Sequence, residues 1–202
     1  MKRLVLLVIA LSTLFCLPFR LSTTASYSSI TLPADSLPLG ILYDGSNTIY
    51  VALSWVGAIA VIDATNLNYT TYYIWQGGEN HEIQPYALAL APNGKVYVTE
   101  RESDQHPWGD QVGRRIAIFD PSTRSFTQTA KLLGGMSYGI IYYQGYIWFA
   151  NPPYLGRLNI TTNEIRSYHV GDYIVMLHGD EEKIFLTDIA NGRLLRFNIA
   201  TE

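Results

Sequence analysis

Apolar residues along this chain cluster in short runs that are dense in β-branched and aromatic side chains and separated by polar turns. Four runs stand in equivalent places: Ile49-Tyr50-Val51-Ala52, Val96-Tyr97-Val98-Thr99, Ile147-Trp148-Phe149-Ala150 and Ile184-Phe185-Leu186-Thr187. Such composition predicts strands. Each run is followed by a segment that alternates apolar with polar or small residues before a turn: Ala58 to Asp63, Arg115 to Asp120, Gly156 to Asn159 and Arg193 to Asn198. A short apolar strand after a Pro or Tyr precedes each pair and a weaker fourth strand follows. One plan therefore repeats with a period of about 36 to 52 residues.

That period is the one expected of four-stranded propeller blades. A single blade is too thin to bury its faces, so consecutive blades must stack, with the first strand of each nearest a central channel. The expectation is an all-β propeller of about four blades, near residues 37–75, 84–133, 136–170 and 172–202, with almost no helix. Loops between second and third strands then share one face with the links between blades. Tight turns such as Pro92-Asn93-Gly94 lie on the other. The fourth repeat lacks its last strand, so the ring is read as incomplete, to be closed by further sequence, by the Ser26–Leu37 segment or by another copy pairing at open sheet edges.

Ahead of the repeats, Lys2 and Arg3 precede an apolar run from Leu4 to Leu17, and Ala25 follows Thr23 in a small-residue setting. This is the pattern of a cleavable signal peptide over residues 1–25, followed by an extension over 26–36. Pro18 and Arg20 interrupt the run before the length of about 20 residues that a spanning helix needs. A secreted or extracytoplasmic protein is expected, free of the membrane once the signal is removed. The alternative is a protein anchored by an uncleaved signal segment. Cys16, the only cysteine, belongs to the apolar run, which leaves the remainder without disulfide or thiolate chemistry. Net charge is −3 with no cluster of Lys and Arg, so nothing draws the chain to nucleic acid.

The third repeat carries Ser137-Tyr138-Gly139-Ile140, then Ile147-Trp148-Phe149-Ala150, Leu155-Gly156-Arg157-Leu158, Glu164-Ile165 and Tyr168. In these motifs it resembles the virginiamycin B lyase (streptogramin lyase) family of NHL-like propellers. The second repeat is similar through Gln84-Pro85-Tyr86-Ala87, Val96 to Glu100 and Gly113 to Ile116. The first matches through Leu37 to Ile41 and the fourth through Ile184 to Asp188 and Gly192-Arg193-Leu194. The resemblance spans most of residues 37–199 and implies the fold far more than the activity.

What the resemblance implies chemically is an elimination that opens a cyclic depsipeptide lactone with Mg²⁺. A His at a blade start takes the proton, and carboxylates hold the hard cation that stabilises the developing charge. In the third repeat Met136 stands where a carboxylate is wanted, Tyr138 where the His is wanted and Asn151-Pro152 where the second acid is wanted. The other blade starts carry Leu39, Tyr86 and Tyr173 in the place of the His. With an ordinary pKa near 10, Tyr is a poor general base at neutral pH. The expectation is that this chain does not perform that reaction, and no catalytic residue, metal ligand set or cofactor is assigned.

Two stretches depart most from the repeat: Trp75 to Gln84, linking the first and second blades, and Arg101 to Val112, within the second. Both are assigned to one face. They bring His81, Glu82, Glu102, Asp104, His106, Trp108 and Asp110 near Glu100, in a chain only 15% charged. The candidate ligand-binding residues are Trp75, His81, Glu82, Glu100, His106, Trp108, Asp110 and Tyr154, with the aromatic rings suited to stacking on a sugar or gripping a peptide. A solvated insertion that covers a blade edge is the plain alternative. The favoured function is a secreted binding or scaffold propeller presenting this face to a carbohydrate, a peptide or a cell-surface protein. Second stands a metal-dependent lyase or lactonase of the virginiamycin B lyase-like or SMP-30-like propeller type, with Glu100 as its best single acid.

Overall fold

The computed structural model describes residues 28–74, 83–102, 115–129 and 131–201. Fifteen strands are described, in four antiparallel sheets, and the only helices among these residues are two 3-10 turns, Ser54–Val56 and Ile199–Thr201. The first blade holds β1 (Pro38–Tyr43), β2 (Thr48–Leu53), β3 (Ala58–Asp63) and β4 (Tyr69–Tyr73). The second holds β5 (Ile83–Leu90), β6 (Val96–Glu102), β7 (Ile116–Asp120) and β8 (Ser125–Gln128). The third holds β9 (Ile140–Tyr143), β10 (Tyr146–Asn151), β11 (Tyr154–Asn159) and β12 (Ile165–His169). The fourth has three strands, β13 (Ile174–Asp180), β14 (Lys183–Asp188) and β15 (Arg193–Asn198). Within each sheet the strands lie in chain order, so every connection is a simple hairpin. This is the all-β, four-blade architecture that the repeat implies.

The near-continuous apolar runs of the second strands have a direct cause. Strands in the middle of a blade are covered on both faces, and a strand buried on both faces needs no polar alternation. The cores therefore lie between blades. Tyr50, Ala52 and Ile59 of the first blade meet Leu88, Val98 and Phe119 of the second. Tyr97, Ile116 and Ile118 of the second meet Ile140, Ile147 and Phe149 of the third. Trp148, Ala150 and Leu155 of the third meet Ile174, Ile184 and Leu186 of the fourth. Among the described residues no such core joins the fourth blade to the first.

The inner strands of the first, second and fourth blades share a bulge. Pro38 faces Leu53 while Ile41 faces Val51, Pro85 faces Glu100 while Leu88 faces Val98, and Ile174 faces Asp188 while Leu177 faces Leu186. Three inner residues thus span two on the second strand, which turns the start of each inner strand. This register corrects one sequence expectation. The residue that follows the first paired position is Leu39 in the first blade, Tyr86 in the second and Val175 in the fourth. Tyr173 lies two residues earlier, in the link.

Inner strands of neighbouring blades come close enough to exclude a side chain. A Cβ on Gly40 would lie 2.5 Å from the carbonyl oxygen of Tyr86, and one on Gly139 would lie 2.7 Å from that of Val175. Gly139 also donates its amide to Val175 O at 2.8 Å. In the second blade Thr99 makes the junction instead, its hydroxyl donating to Tyr138 O at 2.5 Å and accepting from Ala87 N at 3.1 Å.

Third strands end in one repeated turn. Asp63 Oδ1 accepts from the amides of Thr65 and Asn66, Asp120 Oδ1 from that of Ser122, and Asn159 Oδ1 from those of Thr161 and Thr162. Four residues on, Leu67, Arg124 and Asn163 sit at φ of 61°, 56° and 58°. Short polar side chains bond the backbone locally and fix this reversal.

Candidate functional site

A residue at or near the end of each second strand stands against the start of its own inner strand or the link that enters it. This position reads Leu53, Glu100, Asn151 and Asp188, all four buried. Three polar side chains at one buried register place are a site by topology, and what each does follows from its partners.

Asn151 is consumed by the link entering its blade. Its Oδ1 accepts from Gly134 N at 2.9 Å, and its Nδ2 donates to the carbonyls of Gly135 at 3.0 Å and Met136 at 3.3 Å. Asp188 plays the same part in the fourth blade. It accepts from Tyr173 N at 3.3 Å, Asn191 Nδ2 at 3.0 Å and Arg193 Nη2 at 2.6 Å. The Arg193 bond and then the Asn191 bond hold its carboxyl down at about 2. Both side chains stitch loops to strand ends.

Glu100 differs. Its Oε1 accepts a single long bond from Gln128 Nε2 at 3.3 Å, and Oε2 has no hydrogen-bond partner among the described residues. Burial pushes its carboxyl up to about 8, against the opposing pull of the Gln128 bond and the Arg115 charge. A carboxyl in that state is a proton donor at neutral pH, since desolvation penalises its charged form. Its backbone carbonyl accepts from Ser137 N at 3.1 Å, so the residue also ties the second blade to the third.

Beside this row runs a second one made of tyrosines. Tyr86 meets Tyr138 edge-on, with ring centroids 5.3 Å apart, and Tyr138 meets Tyr173 at 5.6 Å. The hydroxyls of Tyr138 and Tyr173 are hydrogen-bonded, and the former also donates to Met136 Sδ at 3.3 Å. Burial, then the bond to Tyr173, raises the Tyr138 hydroxyl pKa, while the nearby Arg101 charge opposes this. Tyr138 is therefore a neutral hydroxyl at physiological pH. Tyr86 is half-buried, Tyr138 buried and Tyr173 exposed, so the row crosses the second, third and fourth blades and reaches the surface at Tyr173.

Of the residues singled out from sequence, Glu100 and Tyr154 are described. Tyr154 opens β11 and stands opposite His169 on β12, its ring edge-on to the imidazole at 5.6 Å. Trp75, His81, Glu82, His106, Trp108 and Asp110 lie outside the described residues, as does the expected signal segment over 1–25. Among the described residues no three His, Cys, Asp or Glu side chains stand close enough to hold a metal ion. Sequence reasoning passed over Asp188 and the tyrosine row. The signal for Asp188 was present, since it follows Ile184-Phe185-Leu186-Thr187 by one residue, as Glu100 follows Val96 to Thr99.

No protein-family model matches the chain, and no curated protein matches it by sequence. Solved structures do. A virginiamycin B lyase from Staphylococcus aureus is similar with a TM-score of 0.59 at 18% identity over 83% of this chain and 57% of the lyase. A catalytically inactive variant of that lyase with quinupristin gives 0.63, again at 18% identity, over 84% and 58%. The computationally designed Ika4 protein gives 0.66 at 10% identity over 87% of this chain and 99% of its own. These likenesses establish the β-propeller fold. The chain spans somewhat over half the length of the lyases it resembles.

Proposed function

We propose that this chain is a binding propeller whose strand-end face, from Tyr86 through Tyr138 to Tyr173, takes a carbohydrate or peptide ligand, and that it acts outside the cytoplasm. One observation carries this reading. At the places where the lyase resemblance wants a base and an acid, Tyr138 and Asn151 stand with their hydrogen-bonding atoms engaged by their own chain, while an adjacent tyrosine row leads to an exposed ring. Tyrosine offers a flat apolar face and a polar tip at small cost in lost rotamer freedom. The export pattern over residues 1–25 supports an extracytoplasmic site of action.

A glycan and peptide array probed with the protein tests this, followed by titration of the best binder against Tyr173→Ala and Trp108→Ala. Loss of about tenfold or more in affinity for Tyr173→Ala supports the face. Binders that ignore both changes, yet are lost on changing His178, would place the ligand elsewhere.

One observation favours a second reading, a metal-dependent lyase or lactonase: Glu100 is a buried carboxyl with an oxygen that no described residue engages. Incubation with cyclic depsipeptide and simple lactone substrates, with and without Mg²⁺, tests it. Turnover that Glu100→Gln abolishes would replace the binding reading with the enzymatic one.

A further inference from the structure

Each of the first three blades receives its successor through the same places. An aromatic residue stands at the centre of the receiving face, Tyr50, Tyr97 or Trp148 in turn. Beside it on the third strand stands an aliphatic one, Ile59, Ile116 or Leu155. The fourth blade repeats both, as Phe185 and Leu194, and puts Thr187 where the second blade has Thr99. Yet no core cluster forms on this face among the described residues, and Leu194 is 71% exposed.

What arrives at each filled face is an inner strand, and at or just before its start a carbonyl turns to the blade already there. Tyr138 O accepts from Thr99 Oγ1 and Val175 O from Gly139 N. Thr187 Oγ1 accepts from Met176 N at 3.1 Å, as Thr99 Oγ1 does from Ala87 N, which leaves it the same proton to donate.

The chain also carries an inner strand whose docking side is open. In β1, Leu39 occupies the register place of Tyr86 and Val175, and Ile41 that of Leu88 and Leu177. Ile41 is 73% exposed and Tyr43 53%, whereas Leu88 is buried. Val51, Ala60 and Ile62, farther out on the first blade, are already buried within the single chain, so the open part is the inner strand itself.

We propose that a second copy of this chain covers the fourth blade: β1 of one copy docks on the fourth blade of the other, Leu39 O accepting from Thr187 Oγ1 while Ile41 and Tyr43 cover Leu194 and Phe185. The contact is head-to-tail. Made twice about a two-fold axis, it closes on itself as a dimer. Met176 makes this junction weaker than those inside the chain. It stands where Gly40, Ala87 and Gly139 let a carbonyl approach, and its unbranched side chain must rotate aside.

Light scattering on the full chain across a concentration series tests the proposal. The expected result is a dimer that dissociates on dilution, weakened about tenfold or more by Ile41→Asp or by Leu194→Asp, and tightened by Met176→Gly. Because both aspartate sites are exposed, each variant should keep its circular dichroism and melting temperature. Mixing the two variants should restore dimers, since one of the two contacts then pairs two unmodified faces. A monomer at every concentration would overturn the proposal. So would a dimer indifferent to both substitutions, or one that mixing fails to restore.

Discussion

Arg193 Nη2 donates to Asp188 at 2.6 Å, closing the turn between β14 and β15 on a carboxylate that also accepts from Tyr173 N just before β13. The carboxylate is buried while the guanidinium is half exposed, so the pair fixes a loop from its inner end. Because the folded carboxyl is held at about 2, below the ordinary value near 3.9, the bond stabilises the fold above that ordinary value. Its contribution is lost as pH falls from about 4 through about 2. Arg193→Ala should flatten the acid limb of a stability profile followed by tryptophan fluorescence between pH 2 and 5.

Glu100 titrates with the opposite sign. Its folded pKa is raised to about 8 from an ordinary value near 4.3, so the folded state holds the proton more tightly than the unfolded chain does. Stability from this residue is full below about pH 4.3 and declines as pH rises to about 8. Glu100→Gln keeps the shape and removes the titration. The variant should therefore melt higher than the parent at pH 8.5 and close to it at pH 5.

Arg157 lies over three rings, with its guanidinium carbon 4.4 Å from the centroid of Tyr146, 5.6 Å from Trp148 and 5.9 Å from Tyr168. A planar guanidinium stacks on such rings in a way that an ammonium does not. Arg157→Lys keeps the charge and most of the length. It should still cost about 1 kcal/mol in urea unfolding, and Arg157→Ala more.

Leu67 is held at φ of 61° in the turn after β3, a left-handed conformation that a branched side chain adopts at a cost. Its amide donates to Asp63 O at 2.8 Å, so the conformation is imposed by the turn. Leu67→Gly should relieve it and stabilise the protein by up to about 1 kcal/mol, after allowing for the greater freedom of Gly in the unfolded chain. Thermal unfolding of the two proteins side by side measures this.

Much of the fold is legible in the chain because stacking imposes a local signature. A strand covered on both faces must read like Ile147-Trp148-Phe149-Ala150, and four such runs at a propeller period leave few other architectures. The inner-strand bulge leaves no comparable mark. It depends on one unpaired residue among similar apolar ones, so aligning the blade starts by residue type put Tyr173 where pairing puts Val175. The candidate site was half legible for a related reason. Glu100 stands out as an acid, whereas Tyr86, Tyr138 and Tyr173 lie far apart in sequence and meet only through packing between blades.

The turns that end the third strands divide the molecule into two surfaces of unequal plasticity. Where Asp63, Asp120 and Asn159 each fold back on the next few amides, the length of the reversal is set by the reach of one short side chain, and an added residue would break the bond that shapes it. On the opposite surface Asp188 pins the turn after β14, yet the other loops there differ from blade to blade: a single 3-10 turn after β2, two prolines after β10, and a much longer stretch after β6. New recognition can therefore be grafted onto one side of this molecule by lengthening loops, while the other side is committed to keeping the blades in phase.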